Sequence, residues 1–232
     1  MIYCFGDSWG EGDELKEDEK PFVHWLAKDL DESYKNFSLG GNSYPLIVTQ
    51  VFDNIRNIDS DSDVSKLFKI RNIQKSDIVL IVIPPDIRWM EEIDSGFQTW
   101  IMGGQDHGKI NFRYMSWLGD KTELWFRYHA SLFTYSIQSA LDSIGCKYLF
   151  MHNYGGEFII DYRFKSLINT DNFLNIKSSL TTLLGGNDEY ESWDLKRDGP
   201  STDNSTKKYF ETYGHPSELG HKRIAKLIKD KI

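Results

Sequence analysis

The chain alternates between short apolar runs and longer stretches whose apolar residues recur at helical spacing. The apolar runs predict four strands, over residues 1–5, 33–39, 77–83 and 146–153. The run DIVLIVI at 77–83 shows no alternation of polar and apolar residues, which is typical of a parallel strand buried on both faces.

Helical spacing predicts a helix after each strand, over residues 21–30, 43–58, 120–144 and 215–232. Pro21 suits the first turn of the first helix, and Ser43 suits the N-cap of the second. Strands that alternate with helices predict an α/β fold with a doubly wound, mostly parallel sheet and right-handed crossovers. A chain of 232 residues without repeats or a Pro-rich linker is expected to form one domain, 1–232.

Two long stretches, 87–119 and 154–214, do not fit this alternation and are predicted to be insertions. The first is rich in Trp, Met and Gly, and it follows the third strand, so it leaves the sheet at the carboxyl edge. We expect it to fold over the cleft there and to form one wall of a substrate pocket. The alternative is that its apolar face packs on a second copy of the chain.

The charge balance limits the partners. A net charge of −8 and a pI near 5.3 argue against a nucleic-acid surface and fit a small-molecule or glycan substrate better. No apolar run approaches the ~20 residues that span a bilayer, and no signal peptide is visible, so we expect no membrane partner and a cytoplasmic location. Delivery to another compartment stays open.

The cysteines and histidines point to neither a disulfide nor a metal. Cys4 and Cys146 both lie in apolar, strand-like runs, which favours two buried free thiols. The histidines have no ligand-like spacing with Cys, Asp or Glu, so we expect no metal and no cofactor.

Candidate chemistry begins directly behind the first strand, in YCFGDSWGEG at 3–12. Gly6 allows a tight turn, and Ser8 then stands at the carboxyl end of the strand. In open α/β sheets, ligands bind at that edge. Trp9 follows the serine, and we expect it either to wall the pocket or to pack beneath the loop.

Three motifs resemble conserved blocks of the SGNH (GDSL) hydrolases. FGDSWGEG resembles block I, whose serine is the nucleophile, here Ser8. NFSLGGNS at 36–43 resembles block II, in which Gly41 would give a main-chain N–H to the oxyanion hole. HPSELGHKRIA at 215–225 resembles block V, with His215 as the base. The motifs occur in family order across nearly the whole chain, and the resemblance implies a three-layer α/β/α, flavodoxin-like sandwich.

The sequence departs from the family at block III, Gly-x-Asn-Asp. After the third strand it reads IVIPPDIRW, which puts Asp86 where the family has an asparagine. A carboxylate cannot donate a hydrogen bond to an oxyanion. Either Asp86 is protonated, or another donor such as Arg88 or Asn42 replaces it, or Asp86 has a different role.

A second departure affects block V, where an aspartate normally lies three residues before the histidine. That position is Thr212 here, and Glu211 is adjacent. Glu211 or a main-chain carbonyl would then orient His215. A Ser–His dyad and an impaired site are the other interpretations.

The resemblance implies a serine esterase that hydrolyses short acyl esters, with O-acetyl groups on carbohydrate as one candidate. The alternatives are an acyltransferase, or a catalytically impaired module that binds a glycan or a protein. The oligomeric state cannot be inferred from the sequence, and a small protein of this type would suit a bacterium or a phage.

Overall fold

The computed structural model describes residues 1–40, 42–56, 73–84, 123–153, 156–186, 205–211 and 214–232, and the main chain of 88–93 and 96–101. Three positions singled out from the sequence, Gly41, Asp86 and Thr212, lie outside the described residues. The side chain of Arg88 does so as well.

Strands form at the four predicted places, and two more form within 87–119, where only an insertion was predicted. Their bounds are β1 (Ile2–Phe5), β2 (Tyr34–Asn36), β3 (Ile78–Ile83), β4 (Arg88–Ile93), β5 (Gly96–Ile101) and β6 (Lys147–His152). Four of them form one parallel sheet in the order β2-β1-β3-β6, which confirms the predicted doubly wound sheet. The chain order reverses between β1 and β3, so the carboxyl ends of these strands flank the crevice where such sheets bind ligands.

Helices cover both faces of this sheet. Their bounds are α1 (Ser8–Glu11), α2 (Phe22–Leu30), α3 (Tyr44–Arg56), α4 (Glu123–Ile144), α5 (Leu180–Leu183) and α6 (Glu218–Lys231). The last helix begins three residues later than predicted, because Ser217 is its N-cap and accepts the Gly220 N–H at 3.3 Å. Pro216 before it forms an antiparallel bridge with Phe210. His215 therefore lies in a loop rather than in the helix.

Alternate residues of β1, β3 and β6 enter two separate cores. Tyr3, Phe5 and Ile81 face α3 and α4, whereas Ile2 and Leu80 face α2 and α6. A strand that is apolar on both sides is what a parallel sheet between two helical layers requires. The three-layer α/β/α sandwich is thus confirmed.

The two insertions begin at the sheet and differ in structure. Strands β4 and β5 form an antiparallel hairpin in the first, and its main chain lies against α3. The pocket-wall role of that insertion stays a prediction. In the second, the Leu174 N–H donates to the Phe150 carbonyl at 2.9 Å, and buried Phe173 covers the outer edge of β6.

The two cysteines are free and buried, as predicted. Burial raises the pKa of Cys4 to about 12 and that of Cys146 to about 11, so both thiols stay protonated. None of the helices in the described ranges combines the length and the apolar character needed to cross a bilayer.

Candidate active site

The turn behind β1 positions Ser8 at the carboxyl edge of the sheet. The Asp7 side chain caps α1 by accepting the Trp9 N–H at 3.1 Å, so Ser8 becomes the first residue of this short helix. Gly10 on the same turn approaches Ser38 so closely that a Cβ atom would lie 2.3 Å from its hydroxyl oxygen. Close packing therefore holds the serine in place against the segment that follows β2.

The structure brings Ser8 and His215 together, although 207 positions separate them in the chain. Their Oγ and Nε2 atoms lie 2.9 Å apart, within the distance of a hydrogen bond. Ser8 comes from the carboxyl end of β1 and His215 from the loop before α6. The predicted proximity of the two side chains is observed, and their roles as nucleophile and base stay a prediction.

The other ring nitrogen of His215 meets a carboxylate that the sequence analysis did not single out. Glu14 Oε2 lies 2.6 Å from Nδ1 and also accepts the His215 main-chain N–H at 3.2 Å. Both side chains are largely buried, with 18% of His215 and 15% of Glu14 exposed. The one signal available was an acidic loop, EGDELKEDEK, right behind the serine, and such loops are usually solvated.

The turn that carries Glu14 has an unusual main-chain conformation. Gly12 ends α1 with φ at 90°, and Glu14 itself has φ at 67°, in the left-handed region that non-glycine residues rarely occupy. The neighbouring Asp13 carboxylate lies 3.9 Å from His215 Nε2 and is more than half exposed. The chain thus reverses in a few residues and returns Glu14 toward the imidazole.

Glu211, the acid that the sequence suggested, contacts His215 through the main chain. Its N–H donates to the His215 carbonyl at 2.7 Å, and its own carbonyl accepts the Gly214 N–H. Burial, together with the carboxylates of Glu19 and Glu14, raises the pKa of Glu211. The carboxylate beside Nδ1 of His215 is that of Glu14 and not that of Glu211.

Asn42 lies next to the serine turn, but its donors are already used. Its Nδ2 donates to the Gly6 carbonyl at 3.0 Å and to Gln50 Oε1 at 3.1 Å, and its main-chain N–H donates to Leu39. The residue is 2% exposed. In this structure the Asn42 amide braces the loop, and its role as an oxyanion donor stays a prediction.

No described residue accepts a hydrogen bond from the Ser8 main-chain N–H. Trp9 is corrected as a substrate-contacting residue. Its side chain is fully buried and lies edge-on to Phe210, with ring centroids 6.5 Å apart. Of the two alternatives for Trp9, packing beneath the loop is the one observed.

The described part of the chain brings no three His, Cys, Asp or Glu side chains into an arrangement that could hold a metal ion. The site offers a serine hydroxyl, an imidazole and a carboxylate that contact one another in that order in space. Such an arrangement suits nucleophilic attack by the hydroxyl with proton transfer to the ring.

The sequence matches no family model and no curated protein. Several solved structures resemble it across the whole chain. The acetyl xylan esterase AlAXEase is 14% identical, with full coverage of both chains and a TM-score of 0.49. A member of the lipolytic protein G-D-S-L family from Veillonella parvula is 12% identical, with 99% and 96% coverage and a TM-score of 0.46.

TesA is 10% identical, with 99% and 96% coverage and a TM-score of 0.45. At these identities and TM-scores the similarity extends to the fold at most, and the chemistry of the site has to follow from its own geometry.

Proposed function

We propose that this protein is a serine esterase that hydrolyses short acyl esters through Ser8 and His215. The observation that carries the proposal is the 2.9 Å distance between Ser8 Oγ and His215 Nε2. These two atoms belong to elements at opposite ends of the chain, and both lie at the carboxyl edge of the sheet. A serine hydroxyl is a weak nucleophile unless a base of this kind accepts its proton.

The reaction proceeds in two halves. Ser8 Oγ attacks the ester carbonyl carbon while its proton passes to His215 Nε2, and a tetrahedral intermediate forms. The C–O bond to the alcohol breaks, and Nε2 returns the proton to the leaving oxygen. Water then attacks the acyl-serine, with its proton going to Nε2, and the carboxylic acid departs as Ser8 regains its proton.

The oxyanion of each tetrahedral intermediate needs donors aimed at one point. We assign this role to the main-chain N–H of Ser8 and, by motif resemblance, to that of Gly41. Losing one donor of this kind typically lowers the rate ~10²–10³-fold. An enzyme with two oxyanion donors is therefore expected to be slower than an enzyme with three. The role of Asp86, and of Arg88 beside it in sequence, stays a prediction of the same resemblance.

The substrate class rests on the motifs. A short acyl ester of a small alcohol or of a carbohydrate is proposed, with O-acetyl groups as the first candidates. The net charge of −8 fits a neutral substrate of this type better than a polyanion such as nucleic acid.

The proposal is tested with p-nitrophenyl acetate and a fluorophosphonate probe. The protein should hydrolyse the ester and should be labelled covalently, with the label on the peptide that contains Ser8. Ser8→Ala should remove both signals and leave the melting temperature nearly unchanged. Ser143→Ala, which alters an exposed serine near the end of α4, is the matched control and should keep both.

A Ser8→Ala protein that retains hydrolysis or labelling would overturn the assignment of the nucleophile. An inert wild-type protein would overturn the esterase proposal itself. Adding a second alcohol, such as glycerol, and measuring acylated product against free acid separates hydrolysis from acyl transfer.

A further inference from the structure

We infer that Glu14 is the acid of the catalytic triad, supplied from the turn behind the nucleophile rather than from the segment before the histidine. The inference rests on the proposed function, since it assigns a positioning residue to the same site. It replaces the family position at Thr212 and the adjacent Glu211 with a carboxylate six residues downstream of Ser8. Glu14 acts through His215 and does not touch the substrate.

The geometry decides which tautomer of His215 is present. Glu14 Oε2 lies 2.6 Å from Nδ1, and an ionised carboxylate only accepts hydrogen bonds. The Nδ1 atom therefore carries the proton, because two facing lone pairs at this distance would repel. Nε2 is then left with its lone pair toward Ser8 Oγ, which is the form that accepts the hydroxyl proton.

The same carboxylate oxygen also fixes the position of the ring. It accepts the main-chain N–H of His215 at 3.2 Å as well as Nδ1–H, so one atom of Glu14 holds both the backbone and the imidazole. When Nε2 takes the proton from Ser8, the positive charge of the imidazolium faces a half-enclosed carboxylate. Charge pairing in such a place stabilises the transition state more than it would in water.

The main chain of Glu14 points to the same role. A non-glycine residue at φ 67° is strained, and such strain persists mainly where the surroundings or the function demand it. Neither nearby acid offers the same contact. Asp13 is 3.9 Å from Nε2 and mostly exposed, and Glu211 reaches His215 only through its main chain in the described contacts.

The inference is tested with Glu14→Gln, which keeps the size of the side chain and removes its charge. We expect kcat for p-nitrophenyl acetate to fall roughly 10²–10⁴-fold, with KM changed less than about threefold. The acidic limb of the kcat/KM profile should move to lower pH, because the imidazolium loses its charge partner. A merely structural role would not move that limb.

Glu211→Gln and Asp13→Asn are the matched controls, since each removes a neighbouring carboxylate. Both should keep kcat within about threefold of the wild type. Glu14→Gly is the second variant, in case Gln fits the turn poorly. Glycine adopts φ 67° without strain, so this variant should fold and still lose the same activity.

The two proposals fail in different ways. If the wild type is active, Ser8→Ala is inert and folded Glu14→Gln or Glu14→Gly keeps kcat within about threefold, only the role of Glu14 is overturned. It is overturned equally if Glu211→Gln loses as much activity as Glu14→Gln. If the wild type itself neither hydrolyses the ester nor takes the fluorophosphonate, the esterase proposal falls first.

Discussion

Asn153 donates its side-chain amide to the carboxylate of Asp7 at 2.8 Å, and both residues are fully buried. Asp7 caps the helix that begins with Ser8, and Asn153 directly follows β6. The contact therefore ties the serine turn to the far strand of the sheet. A buried carboxylate is stable only when its oxygens receive hydrogen bonds, so the amide donor matters for the fold.

Exchanging this donor for an acceptor should destabilise the protein strongly. Asn153→Asp puts a second carboxylate against Asp7, and we expect the free energy of unfolding at pH 7 to fall by roughly 3–5 kcal/mol. Asn153→Ala removes the donor without adding charge and should cost about 1–3 kcal/mol. Urea unfolding measures both. A loss for Asn153→Asp no larger than that for Asn153→Ala would contradict this account.

The substitution Asn42→Ala distinguishes a bracing role of this side chain from a catalytic one. Because both of its amide protons go to Gly6 and Gln50, Asn42→Ala should lower the free energy of unfolding by about 1–3 kcal/mol. The kcat of the folded variant should stay within about fivefold of the wild type. A loss of ~10²–10³ in kcat with unchanged stability would instead identify Asn42 as an oxyanion donor. Esterase kinetics and thermal melts on the same sample decide between them.

Gly10 should tolerate no side chain, although alanine ordinarily favours helices. A Cβ atom there would lie 2.3 Å from Ser38 Oγ and 2.8 Å from Ser38 Cβ. Gly10→Ala should therefore destabilise the protein by about 1–3 kcal/mol. The double variant Gly10→Ala with Ser38→Gly removes the clashing atoms and should recover a large part of that loss. A double-mutant cycle from urea unfolding gives the coupling, and additive effects would refute the contact.

His221 should make stability depend on pH. It is fully buried in α6, and its Nδ1 accepts the Phe22 N–H at 3.1 Å. Burial, and to a smaller extent the neighbouring His215, lowers the pKa of His221 from 6.5 to about 3. The folded state thus requires the neutral ring. The stability that the neutral His221 ring gives the folded state is fully present above pH 6.5 and declines as the pH falls below that value toward 3.

The size of this effect follows from the shift, at about 1.4 kcal/mol per pKa unit, and reaches roughly 5 kcal/mol at most. His221→Gln keeps a side-chain acceptor but does not titrate. Between pH 7 and pH 4, its free energy of unfolding should fall less steeply than that of the wild type, as measured by urea unfolding at several pH values. Parallel slopes for the two proteins would show that His221 does not titrate in this way.

The sequence predicted the fold well because its strands are buried on both faces. An uninterrupted apolar run such as that of β3 has one good environment, between two helical layers, and this predicts a parallel sheet. The strand order came from the structure alone. The helix ends were less accurate. His215 was assigned to the last helix, yet the cap at Ser217 moves the helix start beyond it, because a local side-chain bond overrides the apolar pattern.

The site was predicted only as far as its local motifs reach. Ser8 and His215 follow from motif order, whereas Glu14 depends on two left-handed residues in a turn, and a polar loop carries no periodicity to reveal that. The hydrogen bonds of Asn42 could not be predicted for a related reason. The sequence does not show whether an asparagine amide is buried. Only the packing around Gly6 shows that the amide protons of Asn42 already donate to other groups.

The loop that delivers His215 has a consequence for biosynthesis. Ser8 and Glu14 belong to one short stretch of the chain. The imidazole of His215 lies between their side chains in space, but it comes 201 positions after Glu14 in the sequence. A growing polypeptide therefore carries its hydroxyl without a base until the 207 further positions to His215 have been synthesised. The base arrives only when α6 docks on α2, where Phe22 meets His221. Under the proposed mechanism, catalysis begins only after this docking, and chains that stop short of His215 cannot attack esters.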